Sequence, residues 1–541
     1  MALRQRLRRP TGRRSVGAMF ATSSHEVRHR LWNRAVELAK SDRVMPMFSA
    51  FIALYVLVQA HLRFTVREAR TVSVDEGYIA AFALRLLHGE GLPYVDAVSQ
   101  RGPLTYWLAM LAQAFDETSF LPMRILALVI ALSAALATFR LGVLIRGMFA
   151  GALALVAFVL TTTVIMGAHA GIGYNAEFAS LPFTLTGVLS SLLGVRSRRL
   201  GWIAGAGVLL SLGALCKQLA LLLIVPVAVL CWRAWSDAPR GARFRSLGAL
   251  CLGASLPLMT VGVVYALAGH FQELWYWAVT YNATVYMAPI TWAYRQEFML
   301  RWLHSNTYSL IIWGAMAAWA ASKRGDVAFV AAAGFMGIAA ALAPARPWEN
   351  YYLYAVPWLA LLFASVVDEL VTPMRIRQAL MAGACGIAAV GFYQQLRTWN
   401  RGEVDRRWRD LQIPSVCAFI ERETPAHSSL FVWGFLGEYY VECGRLPASR
   451  YVIPAPVAGW VPWFPALSIA QEDELAAPGS RETLIRELGT SKPGVIIDAP
   501  HASMAGRSMT RYALLRQFLQ TNYRARQRFG DMTAYVRREG H

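Results

Sequence analysis

The chain has 541 residues, 56% of them hydrophobic and only 16% charged, with a mean hydropathy of +0.38. That balance excludes an ordinary soluble globular protein and defines a polytopic α-helical membrane protein. A formal charge of +20 would suit a nucleic-acid partner, but the cations gather in short loops between apolar stretches and in the two termini, where topology and lipid headgroups account for them, so no nucleic acid is expected.

Residues 1–43 carry eleven Lys and Arg against three acids, a net of +8, and read as a cytoplasmic basic tail. The apolar run from Met45 to Leu62 lacks a small-residue cleavage site and follows too long a basic leader for a signal peptide, so it is expected to stay as a first span. Windows long enough to cross about 30 Å of hydrocarbon recur at 45–64, 121–144, 148–167, 172–195, 200–216, 218–235, 246–268, 306–322, 327–345, 351–370 and 376–394. These define a transmembrane domain over 44–394 with about eleven crossings. Threaded from a cytoplasmic N-terminus, five short loops fall inside with their cations (Arg140 and Arg146; Arg196, Arg198 and Arg199; Arg240, Arg243 and Arg245; Lys323 and Arg324; Arg375 and Arg377), as the positive-inside rule demands. The loops 65–120 and 269–305 and the tail 395–541 then lie outside, so chemistry is expected on the exoplasmic face.

In the first external loop, Val74-Asp75-Glu76-Gly77-Tyr78 sets two adjacent carboxylates where the reactive end of a lipid-linked substrate would lie. They suit either a catalytic base or the first turn of a following helix. The stretch Tyr78–Leu87 reads as an apolar helix lying along the interface, ending at His88-Gly89-Glu90-Gly91. Pro93-Tyr94-Val95-Asp96 and Gln100-Arg101-Gly102-Pro103 follow as turns, and Leu104–Phe115 as a second apolar helix too short to span.

This order, with Arg124 opening the next span, resembles the first loop of the GT-C membrane glycosyltransferases, in the branch of the protein O-mannosyltransferases and the bacterial aminoarabinose transferases of lipid A. Asn175-Ala176-Glu177, Trp277-x-x-x-Tyr281-Asn282 and Arg346-Pro-Trp-Glu-Asn-Tyr-Tyr-Leu-Tyr-Ala-Val-Pro357 extend the likeness over most of 45–370. The resemblance implies transfer of a sugar from a polyprenyl-phosphate carrier to a hydroxyl of a glycan, lipid or protein, with inversion, on the external face. It also implies that Asp75 is the base and that Arg101 contacts the carrier phosphate. Two departures stand out: Gly102 replaces the usual proline, and Asn350-Tyr351 stands where relatives have His-Tyr.

The residue chemistry supports the same mechanism. A sugar phosphate already carries a good leaving group, so one displacement needs a base for the acceptor hydroxyl and cations for the departing phosphate. Asp75, with Glu76 beside it, supplies the former; Arg101 and Arg346 suit the latter because a guanidinium donates bidentately to phosphate oxygens. Lys217, between the fifth and sixth windows, is either a further phosphate ligand or a snorkelling interfacial lysine. Glu177 either orients sugar or acceptor or makes a structural hydrogen bond. Asp96 and Tyr94 are assigned to acceptor positioning, with a plain turn role as the alternative for Asp96, and His169 reads as a surface residue.

No cofactor is expected. The histidines and cysteines show no metal-ligand spacing, and there is no phosphate-binding glycine loop for a nucleotide. Cys417 and Cys443 in the tail fit either a disulfide in an oxidising compartment or two free thiols. The tail reads as a small α/β domain: helix 410–422, strand 429–433, a helix through Glu438-Tyr439-Tyr440, strand 494–498, helix 508–520 and a last strand near 523–537, serving as an acceptor site or as a lid. The arginine- and alanine-rich composition and the type of tail point to a bacterial inner membrane. A lipid-linked-sugar flippase and a polysaccharide polymerase or ligase are the competing classes. The first would place ionisable groups at mid-membrane and the second would need another base.

Overall fold

The computed structural model describes residues 44–66, 73–287, 291–323, 325–346, 348–399, 412–462, 464 and 466–538; the basic segment 1–43 lies outside the described residues. A helix occupies each of the eleven apolar windows. Among the described residues, six helices are long and apolar enough to cross a membrane: Val44–Leu62, Leu121–Arg146, Met148–Ile165, Ala176–Ser197, Arg240–Leu267 and Met374–Gln394. The helices in the other five windows are shorter, and two of them begin late for a visible reason. Gln218–Leu223 and Glu349–Tyr354 are 3-10 turns that lead into Ile224–Ala234 and Val356–Leu370, each with a proline in its first turn (Pro226, Pro357).

Small residues let these helices approach closely, the usual solution where apolar packing alone gives no drive against lipid. Gly207 packs on the backbone of Leu250 and Gly253, and Gly253 in turn on Ala204, with no room for a methyl group at either glycine.

The first-loop helix runs Val74–Leu87, starting four residues earlier than the sequence reading, and ten of its fourteen residues are buried. It is therefore not an exposed interfacial helix. A sequence apolar on all faces, Tyr78-Ile-Ala-Ala-Phe-Ala-Leu84, is that of a helix covered all round, and the second short helix, Pro103–Gln113, packs against it.

The tail forms a four-stranded sheet in the order β1-β2-β4-β3, with β1 (Leu430–Trp433) parallel to β2 (Val495–Asp498) and antiparallel pairs joining β2 to β4 (Met532–Arg537) and β4 to β3 (Tyr523–Phe529). The expected single last strand is a hairpin, turning at Gly530 with φ of +62°. β1 and β2 are wholly buried, whereas edge strand β3 exposes Arg524, Arg526 and Arg528, charges that keep an open edge from pairing with another chain. Cys417, on the helix Ile413–Glu423, is disulfide-bonded to Cys443.

The tail docks on the first loop. The Val98 N–H donates to the Arg450 carbonyl at 3.0 Å. The Arg85 guanidinium spans both parts, donating to Asp96 O at 3.1 Å and Pro447 O at 3.3 Å.

Candidate active site

Ser73 caps the first-loop helix, its Oγ accepting the Glu76 N–H at 3.1 Å, and so fixes both acids in the first turn. They diverge from there. Asp75 is 30% exposed, and its Oδ2 accepts from an Arg101 guanidinium nitrogen at 2.9 Å. Glu76 is fully buried in an ion pair with Arg124, and its Oε1 also accepts the Tyr174 N–H at 3.2 Å. The structure thus corrects the pairing of Glu76 with Asp75 as catalytic groups: Glu76 ties the first loop to the spans beginning at 121 and 176 and does not reach the cavity.

Asp75 and Arg101 line one wall of a cavity of about 480 Å³. Arg101 is itself heavily built in. Its guanidinium lies 4.7 Å over the Tyr78 ring, its carbonyl accepts from the Tyr94 hydroxyl at 2.6 Å, and its N–H donates to Ser99 Oγ at 3.3 Å. Burial disfavours the Arg101 charge, yet the nearby Asp75, Tyr106 and Glu177 more than offset this and raise its pKa above the usual arginine value. Two of its nitrogens, Nε and NH1, meet no acceptor at hydrogen-bond geometry among the described residues.

Tyr94 and Asp96 shape this loop rather than the cavity. Tyr94 adopts φ of +73°, and its N–H donates to Ala97 O at 2.6 Å. Asp96 accepts the N–H groups of Glu90 and Leu92 at 3.0 and 2.9 Å. Neither lines the cavity; both stand one step behind Arg101, where Asp96 takes the turn role that was one of its two readings. Gly102 explains its departure from the family pattern: it lies against the Leu215 carbonyl too closely for any side chain, and its N–H donates to Cys216 O at 3.2 Å.

That contact places the end of the helix Leu200–Cys216 beside the first loop, and with it Lys217. Lys217 Nζ stands 3.0 Å from Glu177 Oε1 and 5.3 Å from the centre of the Tyr351 ring. Glu177 Oε2 accepts from Asn350 Nδ2 at 3.0 Å. Arg346 donates to the Tyr286 carbonyl at 2.6 Å and stacks 3.8 Å from the centre of that ring. Asn350, Tyr351 and Tyr286 line the cavity, while Lys217, Glu177 and Arg346 stand behind them. Each of the three cations thus lies over a tyrosine ring of the cavity wall: Arg101 over Tyr78, Lys217 over Tyr351 and Arg346 over Tyr286.

Tyr286 ends the second of two consecutive π-helical turns, Tyr276–Thr280 and Asn282–Tyr286, and Tyr281 is the residue joining them, a wide-turn geometry frequent at functional sites. Gln100, Trp348 and His169 complete the lower part; His169 is an exposed surface residue, as expected, at the edge of the cavity. The roof is the tail: Phe435, Ile453, Ala455, Pro456, Val461, Pro462 and Ser503. Sequence reasoning missed these roof residues. The signal was the apolar, proline-rich run 451–462, which fits neither helix nor strand periodicity.

The domain of apolar helices with its α/β tail is similar in fold to a membrane protein of solved structure. It superposes on the crystal structure of ArnT from Cupriavidus metallidurans bound to undecaprenyl phosphate with a TM-score of 0.56 at 12% identity, covering 91% of this chain and 98% of that one. The apo form of the same protein gives a TM-score of 0.52 at 12% identity, covering 91% and 97%. No family model matches the chain, and no curated protein matches it by sequence.

Proposed function

We propose that this chain is an integral membrane glycosyltransferase that moves a sugar from a polyprenyl-phosphate carrier to a hydroxyl acceptor on the exoplasmic face, with inversion at the sugar carbon. The observation that carries this reading is the Asp75–Arg101 pair, 2.9 Å apart on the wall of the cavity. A base and a phosphate-binding cation are the two groups that a single displacement at a sugar phosphate needs. The acceptor oxygen attacks the sugar carbon and gives its proton to the Asp75 carboxylate. The bond from that carbon to the phosphate oxygen breaks, its electron pair stays on the phosphate, and the Arg101 guanidinium on the cavity wall stabilises that charge. Lys217 and Arg346 add positive potential from behind Tyr351 and Tyr286, and Glu177 holds Lys217 in place. The undecaprenyl phosphate in the ArnT crystal structure supports the carrier class.

The eleven helices are proposed as eleven crossings, and the Cys417–Cys443 disulfide supports an oxidising, external location for the tail. The test is a transfer assay on the protein in nanodiscs, with radiolabelled polyprenyl-phosphate sugars and total membrane extract. Label reaching an acceptor with the wild type and not with Asp75→Asn supports the proposal. Lipid scrambling or uptake without transfer would replace it with a transporter.

A further inference from the structure

Two glycines that the backbone does not require stand where the tail meets the first loop. Gly437 has φ of −59° and ψ of −19°, a conformation open to any residue, and Gly77 lies inside a helix, where glycine costs about 1 kcal/mol against alanine. What both positions need is the absence of a side chain. A methyl group on Gly437 would fall 2.5 Å from the carbonyl carbon and oxygen of Gly77 and against the Tyr78 Cα, and one on Gly77 would fall 2.7 Å from Glu438 Cδ. The backbones touch two residues from Asp75, and Glu438 is buried over the contact.

We propose that Gly437, Gly77 and Glu438 are positioning residues for catalysis: the tail presses the first turn of the loop helix into the place that aims Asp75 at the cavity. The proposal rests on Asp75 being the base. The geometry favours this over a merely attached tail because the same short segment carries Phe435, part of the roof, so cavity wall and cavity roof are set by one contact. The Val98–Arg450 and Arg85–Pro447 hydrogen bonds hold the far end of the loop to the tail, while at the end bearing Asp75 the glycine contact is what joins the tail to a turn that Glu76 ties to the helices.

The test uses the full-length protein in nanodiscs. Gly437→Ala, which forces backbone apart from backbone, is expected to lower turnover by about 100-fold while the affinity for undecaprenyl phosphate stays within about twofold. A Val74→Cys reporter in the cavity wall, with Cys216, Cys231, Cys251 and Cys385 replaced by alanine, is expected to react with a maleimide at a changed rate in the Gly437→Ala background. Gly77→Ala is expected to lose less turnover when Glu438→Ala is also present, because the group it strikes is gone. Wild-type turnover and labelling in Gly437→Ala, or independent effects of Gly77→Ala and Glu438→Ala, would overturn the proposal. If Gly437→Ala does not fold, the Gly77–Glu438 coupling decides. If Asp75→Asn proves active, the base assignment fails separately, and the labelling rate still decides whether the contact sets the loop.

Discussion

Lys217 and Glu177 form a buried ion pair, Nζ to Oε1 3.0 Å, between the last residue before a helix break and the first turn of another helix. Neither charge is exposed enough for solvent to stabilise it alone, so the pair holds its two helices in register only while both members are present. Lys217→Met is expected to destabilise the protein by about 3–5 kcal/mol, read as a lowered unfolding midpoint in detergent. Adding Glu177→Gln should restore most of that loss, since Asn350 can still hydrogen-bond the amide. A double variant no more stable than Lys217→Met would show that the pair does not act as a unit.

Asp75→Asn keeps the shape of the side chain and its place beside Arg101 but removes the base. Turnover is expected to fall by about 10²- to 10⁴-fold, more than the modest drop in unfolding midpoint expected from Arg101 losing its counter-charge can explain. Near-normal transfer by this variant would dismiss Asp75 as the base.

Glu76 predicts the opposite pattern. Its partner Arg124 is 1% exposed, so Arg124→Leu strands a buried carboxylate and is expected to cost about 3–5 kcal/mol of stability. The fraction that remains folded should transfer sugar at the normal rate per molecule. A stable Arg124→Leu protein with no activity would return Glu76 to the catalytic set.

Arg101→Ala removes the charge-assisted hydrogen bonds proposed to hold the carrier phosphate. Each is worth about 1.5–3 kcal/mol, so undecaprenyl phosphate should bind at least about tenfold more weakly. Binding measured by tryptophan fluorescence in nanodiscs checks this, and unchanged affinity would move the phosphate site to Lys217 and Arg346.

Much of the membrane part is legible from the sequence, because a span announces itself through composition alone: all eleven apolar windows contain helices. The first loop was legible in its order of motifs but not in its start. Ser73-Val-Asp-Glu76 is the spacing of a helix-capping box, and reading it would have begun the helix at Val74 and shown the two acids sharing a turn. The terminal hairpin reads as one strand because Arg524, Arg526 and Arg528 keep a strand's period of two up to the turn, which only Gly530-Asp531 marks. The roof of the cavity was out of reach for another reason. Residues 75 and 503 meet through tertiary packing across the whole chain, and no local pattern carries such a contact.

The cavity joins residues made at opposite ends of translation. The wall with Asp75 and Arg101 is made first, Tyr286, Trp348 and Tyr351 come much later, and Phe435, Ile453 and Ser503 follow the last apolar helix. A nascent chain therefore holds the proposed base beneath an open top, and the cavity closes only as the final segment folds down. A chain cut short after its last helix keeps every proposed reacting group while lacking the enclosure in which they would meet a substrate.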